Sequence, residues 1–86
     1  MSFSIYYDKQ PQDFLNKAEK HIAKRIMDKL DTSLSNNPVP HNSKAVVGEH
    51  GVFSLRIGSY RALYRINYQG SKIIIVKIDK RPRVYG

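Results

Sequence analysis

The 86-residue sequence contains no cysteine, which excludes disulfides, thiolate nucleophiles and cysteine-ligated zinc sites. It has only three histidines, His21, His41 and His50, and none is spaced from another as HxH or HxxxH. Histidines scattered in this way do not supply a metal ligand set. We therefore expect no metal and no other cofactor.

Long apolar runs are also missing. The longest run of strongly apolar residues in the chain's last third, Ile73–Val76, is far shorter than the ~20 residues of a membrane-spanning helix. The N-terminus lacks the basic start and apolar stretch of a signal peptide. We expect a cytoplasmic protein without membrane contact, built as a single domain over residues 1–86.

Acidic residues are scarce in the last third of the chain. Residues 53–86 hold eight basic residues and one acidic residue, a net charge of +7. Residues 1–52 hold seven basic and six acidic residues, a net charge of +1, and the two values sum to the chain's +8. Such a concentration of positive charge predicts a polyanionic partner, with nucleic acid as the leading candidate.

The hydrophobic pattern predicts an α+β fold. A β-branched and aromatic strand at Phe3–Tyr7 precedes a stretch, 12–35, whose apolar residues recur every fourth position as in a helix. A break near 16–20 would divide this stretch into a helical hairpin, and the pattern leaves one or two helices open. Three further strands form an antiparallel meander: Val52–Ile57, Tyr60–Tyr68 and Lys72–Asp79. We expect the helices to pack on one face of this small sheet.

Side-chain alternation along these strands separates an apolar side from a basic side. In the last strand, Ile74, Val76 and Ile78 form the predicted apolar row beneath the helices. The predicted outer side, with its rim, carries Arg56, Arg61, Arg65, Lys77, Lys80, Arg81, Arg83 and Tyr85. Taken singly, each cation is equally explained as solvated surface charge, and Arg61 by an ion pair with Asp79.

Two segments carry a resemblance to a known family. Residues 55–64, LRIGSYRALY, resemble the RIGxYRxxY hairpin of the RelE/ParE toxin superfamily. Residues 80–85, KRPRVY, resemble its C-terminal HRxxVY ending, with Lys80 in place of the histidine. Residues 42–48 are similar to the lysine-to-glycine approach to that hairpin. The chain is thereby identified as a RelE-like toxin of a type II toxin–antitoxin system.

The resemblance implies a ribosome-dependent endoribonuclease that cleaves mRNA in the A site without a metal. In such toxins a ribose 2′-OH attacks the adjacent phosphate. By position, Arg61 and Arg81 match the phosphate-stabilising arginines, and Arg56 matches a general base or stabiliser. Tyr85 matches a tyrosine that stacks on a base or helps to activate the 2′-OH. The remaining expected RNA-binding residues are Lys44, Ser54, Arg65, Lys77, Lys80 and Arg83. The implied partners are a cognate RelB-like antitoxin, the ribosome and mRNA.

Two departures from the family pattern keep other functions open. Ser54 stands where the ribonuclease branch commonly has a basic residue, and Val47 stands where an arginine is frequent. One alternative is a non-catalytic, ParE-like toxin that poisons DNA gyrase. The other is a module that binds RNA or the ribosome with weakened or no catalysis.

Overall fold

The computed structural model describes residues 2–80, and Arg81, Arg83 and Tyr85 lie outside this range. The fold is α+β, as predicted, with an N-terminal strand, two helices and then the remaining strands. The elements in chain order are β1 (Ser4–Tyr7), α1 (Lys9–Lys17), α2 (Lys20–Leu34), β2 (Ser43–Ala45), β3 (Val52–Ile57), β4 (Tyr60–Asn67) and β5 (Lys72–Lys80). None of the helices in this range is long and apolar enough to cross a membrane.

The predicted helical stretch is divided into two helices. Pro11 lies in the first turn of α1, where its missing N–H removes no intrahelical hydrogen bond. Ala18 and Glu19 have extended backbone angles and separate α1 from α2. The apolar stripe of α2 faces inward, and its residues Ile26, Leu30 and Leu34 are at most 1% exposed. This periodicity packs both helices onto one face of the sheet.

The five strands form one sheet in the order β1-β5-β4-β3-β2. The predicted meander β3-β4-β5 is antiparallel, whereas β1 pairs in parallel with β5 from Ser4 opposite Lys72 to Tyr7 opposite Ile75. Gly58 begins the β3–β4 turn with φ +56, the left-handed angle expected at the first central position of a type II′ turn. The short β2 strand, Ser43–Ala45, was not predicted from the sequence.

The predicted apolar row of β5 was wrong at two of its three positions. Ile73, Ile75 and Ile78 are fully buried under the helices, and Ile74 and Val76 are only half-buried. The cause is a register shift: Leu63 pairs with Lys77, but the next residue of β4, Tyr64, pairs with Ile75. Val76 is therefore an extra residue in β5, and the in–out alternation changes phase there.

The side chain of Gln10 completes the sheet beyond the end of β1. β1 pairs with β5 only as far as Ile75, which leaves the later part of that edge without a strand partner. Gln10 in α1 accepts a hydrogen bond from the Ile78 N–H at 2.9 Å and donates one to the Ile78 carbonyl at 2.9 Å. One side-chain amide thus replaces a strand at this point and fixes the C-terminal end of β5.

Candidate nucleic-acid interface

The side of the sheet that faces away from the helices carries most of the described cations of β2 to β5, and we call it the outer face. Its basic residues are Lys44, Arg56, Arg61, Arg65, Lys72 and Lys77. Within the described strands, Asp79 is its single acidic residue. Alternation predicted four of these six residues, Arg56, Arg61, Arg65 and Lys77. The phase change at Val76 keeps Lys77 on this face, because it turns both Lys77 and Asp79 outward.

One row of residues crosses three strands at the turn end of the β3–β4 hairpin. Arg56 of β3 lies directly opposite Arg61 of β4, and Arg61 lies directly opposite Asp79 of β5. Arg56 is exposed and makes no hydrogen bond or ion pair with any of residues 2–80. Two like charges at directly opposed positions destabilise a sheet, so this row is arranged unfavourably unless an anion binds between them.

Arg61 forms a two-point ion pair with Asp79. Its Nε donates to Oδ1 at 3.3 Å and its Nη2 donates to Oδ2 at 3.0 Å. These hydrogen bonds raise the pKa of the Arg61 guanidinium. Lys77 lies near the same carboxylate, with Nζ at 3.9 Å from Oδ2. The pairing of Arg61 with Asp79, considered from the sequence, is therefore observed, and it leaves part of the guanidinium available to other acceptors.

A second row continues the outer face towards the far edge of the sheet. It runs from Lys44 of β2 through Ser54 of β3 and Leu63 of β4 to Lys77 of β5. Lys44 is exposed and has no hydrogen bond or ion pair within residues 2–80. The row thus places a lysine on each side of the uncharged Ser54 and Leu63.

Two other residues predicted for the site, Arg65 and Lys80, lie on opposite sides of the sheet. Arg65 lies on the outer face and donates from Nη1 to the His50 carbonyl at 3.4 Å. Lys80 lies opposite Tyr60, which packs edge-on against Phe14 of α1, so its position in the register belongs to the helix-covered side. The roles predicted for Arg81, Arg83 and Tyr85 fall outside the described residues and stay predictions.

Lys72 is an outer-face cation that the sequence interpretation left out of the site. Its Nζ lies 5.5 Å from the centre of the Tyr6 ring, within cation–π range. Its position next to the buried Ile73 is the signal that could have identified it.

Within residues 2–80 no three His, Asp or Glu side chains come together as a metal site would require. The outer face offers guanidinium and ammonium groups, which bind anions.

Comparison with known proteins identifies the family. The family model described as the ParE toxin of type II toxin–antitoxin systems, parDE, matches residues 5–85. The chain belongs to this family. A match over nearly the whole chain also confirms the resemblance to the RelE/ParE superfamily that the hairpin and C-terminal motifs indicated.

Individual relatives of this ParE-family chain carry RelE-type names. It is 26% identical over 85 residues to Toxin RelG of Mycobacterium tuberculosis, covering 99% of this chain and 98% of the relative. The toxin–antitoxin complex RelBE2 of the same organism is 27% identical, with a TM-score of 0.84 and coverage of 94% and 93%. The archaeal RelE–RelB complex of Pyrococcus horikoshii is 26% identical, with a TM-score of 0.79 and coverage of 98% and 100%.

These similarities establish a toxin of the RelE/ParE type from a type II toxin–antitoxin system. The family match carries the parDE description, while the individual relatives carry RelE names. The outer face of this ParE-family toxin combines an arginine pair with Ser54 at a position that is often basic in ribonucleases. We therefore base the proposed activity on the chemistry of this surface.

Proposed function

We propose that this toxin is a ribosome-dependent endoribonuclease that cleaves mRNA in the A site and so inhibits translation. The observation that carries the proposal is the opposed pair Arg56 and Arg61 on an outer face with one acidic residue among those described. A phosphodiester bound between the two guanidiniums converts their repulsion into two attractions. Attack by the neighbouring 2′-OH then builds negative charge on the phosphorus oxygens, where fixed cations stabilise the transition state.

The proposed roles follow from the chemistry of each side chain. Arg56 and Arg61 stabilise the charge on the phosphate, because a guanidinium stays protonated at physiological pH and does not serve as a general base. Arg81 adds a third guanidinium, and Tyr85 orients or activates the 2′-OH. The cations that we assign to flanking phosphates are Lys44, Arg65, Lys77 and Arg83, and Ser54 donates a hydrogen bond. Lys80, which was predicted to join them, is left out because its register position is on the helix-covered side.

We further propose that a RelB-like antitoxin neutralises the toxin. Two of the relatives above are complexes of a RelE-type toxin with its antitoxin. A net charge of +8, concentrated on the C-terminal strands, suits an acidic partner and electrostatically steered association. Co-elution of the two proteins at physiological salt tests this pairing, and separate elution contradicts it.

Primer extension on mRNA, with and without ribosomes, tests the activity. Wild type should cut at A-site codons only when ribosomes are present. Arg61→Ala and Arg56→Ala should each slow cleavage by about 100-fold, the usual effect of removing one fixed donor to a transition-state anion. Lys20→Ala removes the same charge from the exposed start of α2, on the helix side of the sheet, and should cut like wild type.

The results also discriminate between the alternative functions. Blocked translation without cuts would support a module that binds the ribosome. Neither cuts nor a translation block, together with inhibition of gyrase supercoiling, would support a ParE-like gyrase poison. The neutralisation of Arg61 by Asp79 and the serine at position 54 are the observations that favour a non-catalytic toxin, because both reduce the charge available to a phosphate.

A further inference from the structure

We propose that Asp79 is a positioning residue, which fixes the Arg61 guanidinium so that its remaining donors face a substrate phosphate. This inference rests on the endoribonuclease activity proposed above and assigns Asp79 a part in it. Asp79 does not touch the reacting atoms. It acts through Arg61, and its effect is on the geometry of phosphate binding.

The hydrogen bonds between the two side chains define the orientation of Arg61. A guanidinium has five N–H donors in one plane, and Asp79 accepts from Nε and from one hydrogen of Nη2. Both hydrogens of Nη1 and the second hydrogen of Nη2 remain. The Arg61 side chain is 38% exposed, so a phosphate can approach this second edge and accept two hydrogen bonds from it.

Asp79 is itself a rigid anchor. Its strand neighbour Ile78 is fully buried, and the Gln10 side chain holds both backbone polar groups of Ile78. On the opposite edge, β5 is paired with β4, where Arg61 is the direct partner of Asp79. A carboxylate on a backbone held from both sides gives Arg61 a fixed reference point, and the ordering of the long arginine side chain then precedes substrate binding.

The arginine opposite Arg61 explains why an anchor is needed. Arg56 repels Arg61 across β3 and β4, and without Asp79 this repulsion turns the Arg61 guanidinium away from Arg56 without fixing one orientation. Asp79 lies on the side of Arg61 away from Arg56, so its attraction supplies a fixed orientation. The row retains a net charge of +1, which is +2 from the arginines and −1 from Asp79, and Lys77 adds a further cation beside it.

The opposite role, in which Asp79 acts as a brake, makes a different prediction. A carboxylate that competed with the phosphate for Arg61 would slow cleavage, and its removal would speed the reaction. Asp79 occupies only the Nε-containing edge and leaves the other edge open, which favours positioning over competition. The sign of the effect of Asp79→Ala therefore separates the two roles.

Single-turnover cleavage on ribosomes carrying mRNA tests the proposal. Asp79→Ala should lower the cleavage rate by about 10-fold to 30-fold, because a mobile Arg61 misplaces its donors. Binding to the ribosome–mRNA complex should stay equal or become tighter, since a negative charge is lost from the outer face. Asp79→Asn keeps one acceptor oxygen and should lose only about 3-fold in rate. A general loss of structure would instead weaken binding and cleavage together.

A double-mutant cycle asks whether Asp79 acts through Arg61. Adding Asp79→Ala to Arg61→Ala should cause no further loss of rate. A multiplicative loss in the double variant, or an Asp79→Ala variant as fast as wild type or faster, would overturn the positioning role.

The Arg61 Nε–H signal in ¹⁵N NMR spectra provides a readout that does not require cleavage. Its hydrogen should exchange slowly in wild type and in Lys20→Ala, and rapidly in Asp79→Ala. Equal exchange in all three proteins would overturn the inference even if the toxin cleaves mRNA. A wild type that cuts no mRNA would overturn the proposed function, and this NMR comparison would still decide whether Asp79 fixes Arg61.

Discussion

The two faces of the sheet are built from alternate residues of the same strands, but they differ in composition and in what they contribute to the protein. In β4, Ala62 and Tyr64 are fully buried against the helices, while Arg61 and Arg65 point to the other side. In β3 the same relation holds between Leu55 and Arg56. Adjacent positions thus belong to different faces, so substitutions one residue apart should have different consequences.

The difference between the faces is also energetic. Each fully buried aliphatic side chain on the helix-covered face contributes about 1.5–3 kcal/mol through removal of apolar surface from water. The outer face buries fewer side chains, with Val52 opposite Arg65 as a buried one, and its opposed arginines make folding less favourable. A surface that concentrates one sign of charge at a cost in stability is what we expect if it binds a polyanion, as proposed above. The helix-covered face stabilises the fold, and the outer face is the surface that we propose binds RNA.

The largest expected effect concerns two consecutive isoleucines of β5, one on each face of the sheet. Ile75→Ala should lower the free energy of unfolding by about 3–4 kcal/mol, because Ile75 is fully buried and its truncation leaves a cavity. Ile74→Ala on the outer side should lower it by about 1 kcal/mol, since Ile74 is only half-buried. Urea denaturation of both variants measures the difference.

The same pair of variants tests the register shift at Val76. The alternation inferred from the sequence alone placed Ile74 in the core row, and the structure places Ile75 there. If Ile74→Ala lost more stability than Ile75→Ala, Ile74 would be the core residue, as the sequence pattern predicted. That result would contradict an extra residue in β5 at Val76.

Local pattern was sufficient to predict the helical stretch and the meander, although it left one or two helices open. The four-residue spacing of apolar side chains predicted the helical stripe, and side-chain alternation predicted the β3 strand with its bounds at Val52–Ile57. These features depend on residues close together in the chain. The parallel pairing of β1 with β5 joins positions about 68 residues apart, and no local pattern contains it.

The features that sequence reasoning missed are interactions between distant segments. Strand β2 has three residues and exists because β3 offers it a partner. The extra residue at Val76 follows from how β5 pairs with β4, and an unbroken apolar run Ile73–Val76 gives no sign of it. In the site, alternation predicted Arg56, Arg61, Arg65 and Lys77 on the outer face and missed Lys72. It did not predict the two-point geometry of Arg61 with Asp79, or that Lys80 takes the helix-side position in the register.

A smaller effect is expected at Tyr64, where a polar group lies on the apolar side of the sheet. Its ring is fully buried, and its hydroxyl donates a hydrogen bond to the Pro38 carbonyl at 2.8 Å. Tyr64→Phe should lower the free energy of unfolding by about 1 kcal/mol near neutral pH, because one buried hydrogen bond is lost while the ring stays packed. Urea denaturation at pH 7 measures this loss.

The same variant should change the alkaline limit of stability. Burial raises the pKa of Tyr64 above its ordinary value of 10.0, so the folded state holds the phenol proton more tightly than the unfolded chain. The stabilisation that comes from this proton is fully present below pH 10, and it is lost as the pH rises through the folded-state pKa of Tyr64. Wild type should therefore lose stability above pH 10 more steeply than Tyr64→Phe. Burial also raises the pKa of Tyr7, so part of the dependence should remain.

The smallest expected effect concerns the gap in charge on the outer face. Ser54→Lys places a cation between Lys44 and Leu63, where the ribonuclease branch commonly has one. We expect about 3-fold tighter binding to single-stranded RNA at low salt, with the slope of log affinity against log salt steeper by about 0.7 for one additional phosphate contact. Stability should fall by about 0.2–1 kcal/mol, since the new lysine lies directly opposite Lys44.

A matched variant shows whether the position of this charge matters. Thr32→Lys adds the same charge at an exposed site on α2, on the helix side of the sheet. If RNA lies along the rows of the outer face, Ser54→Lys steepens the salt dependence and Thr32→Lys leaves it close to wild type. Equal gains in the two variants would mean that RNA responds to net charge alone. In that case the outer face would not be a specific RNA-binding surface, although the structural difference between the two faces would remain.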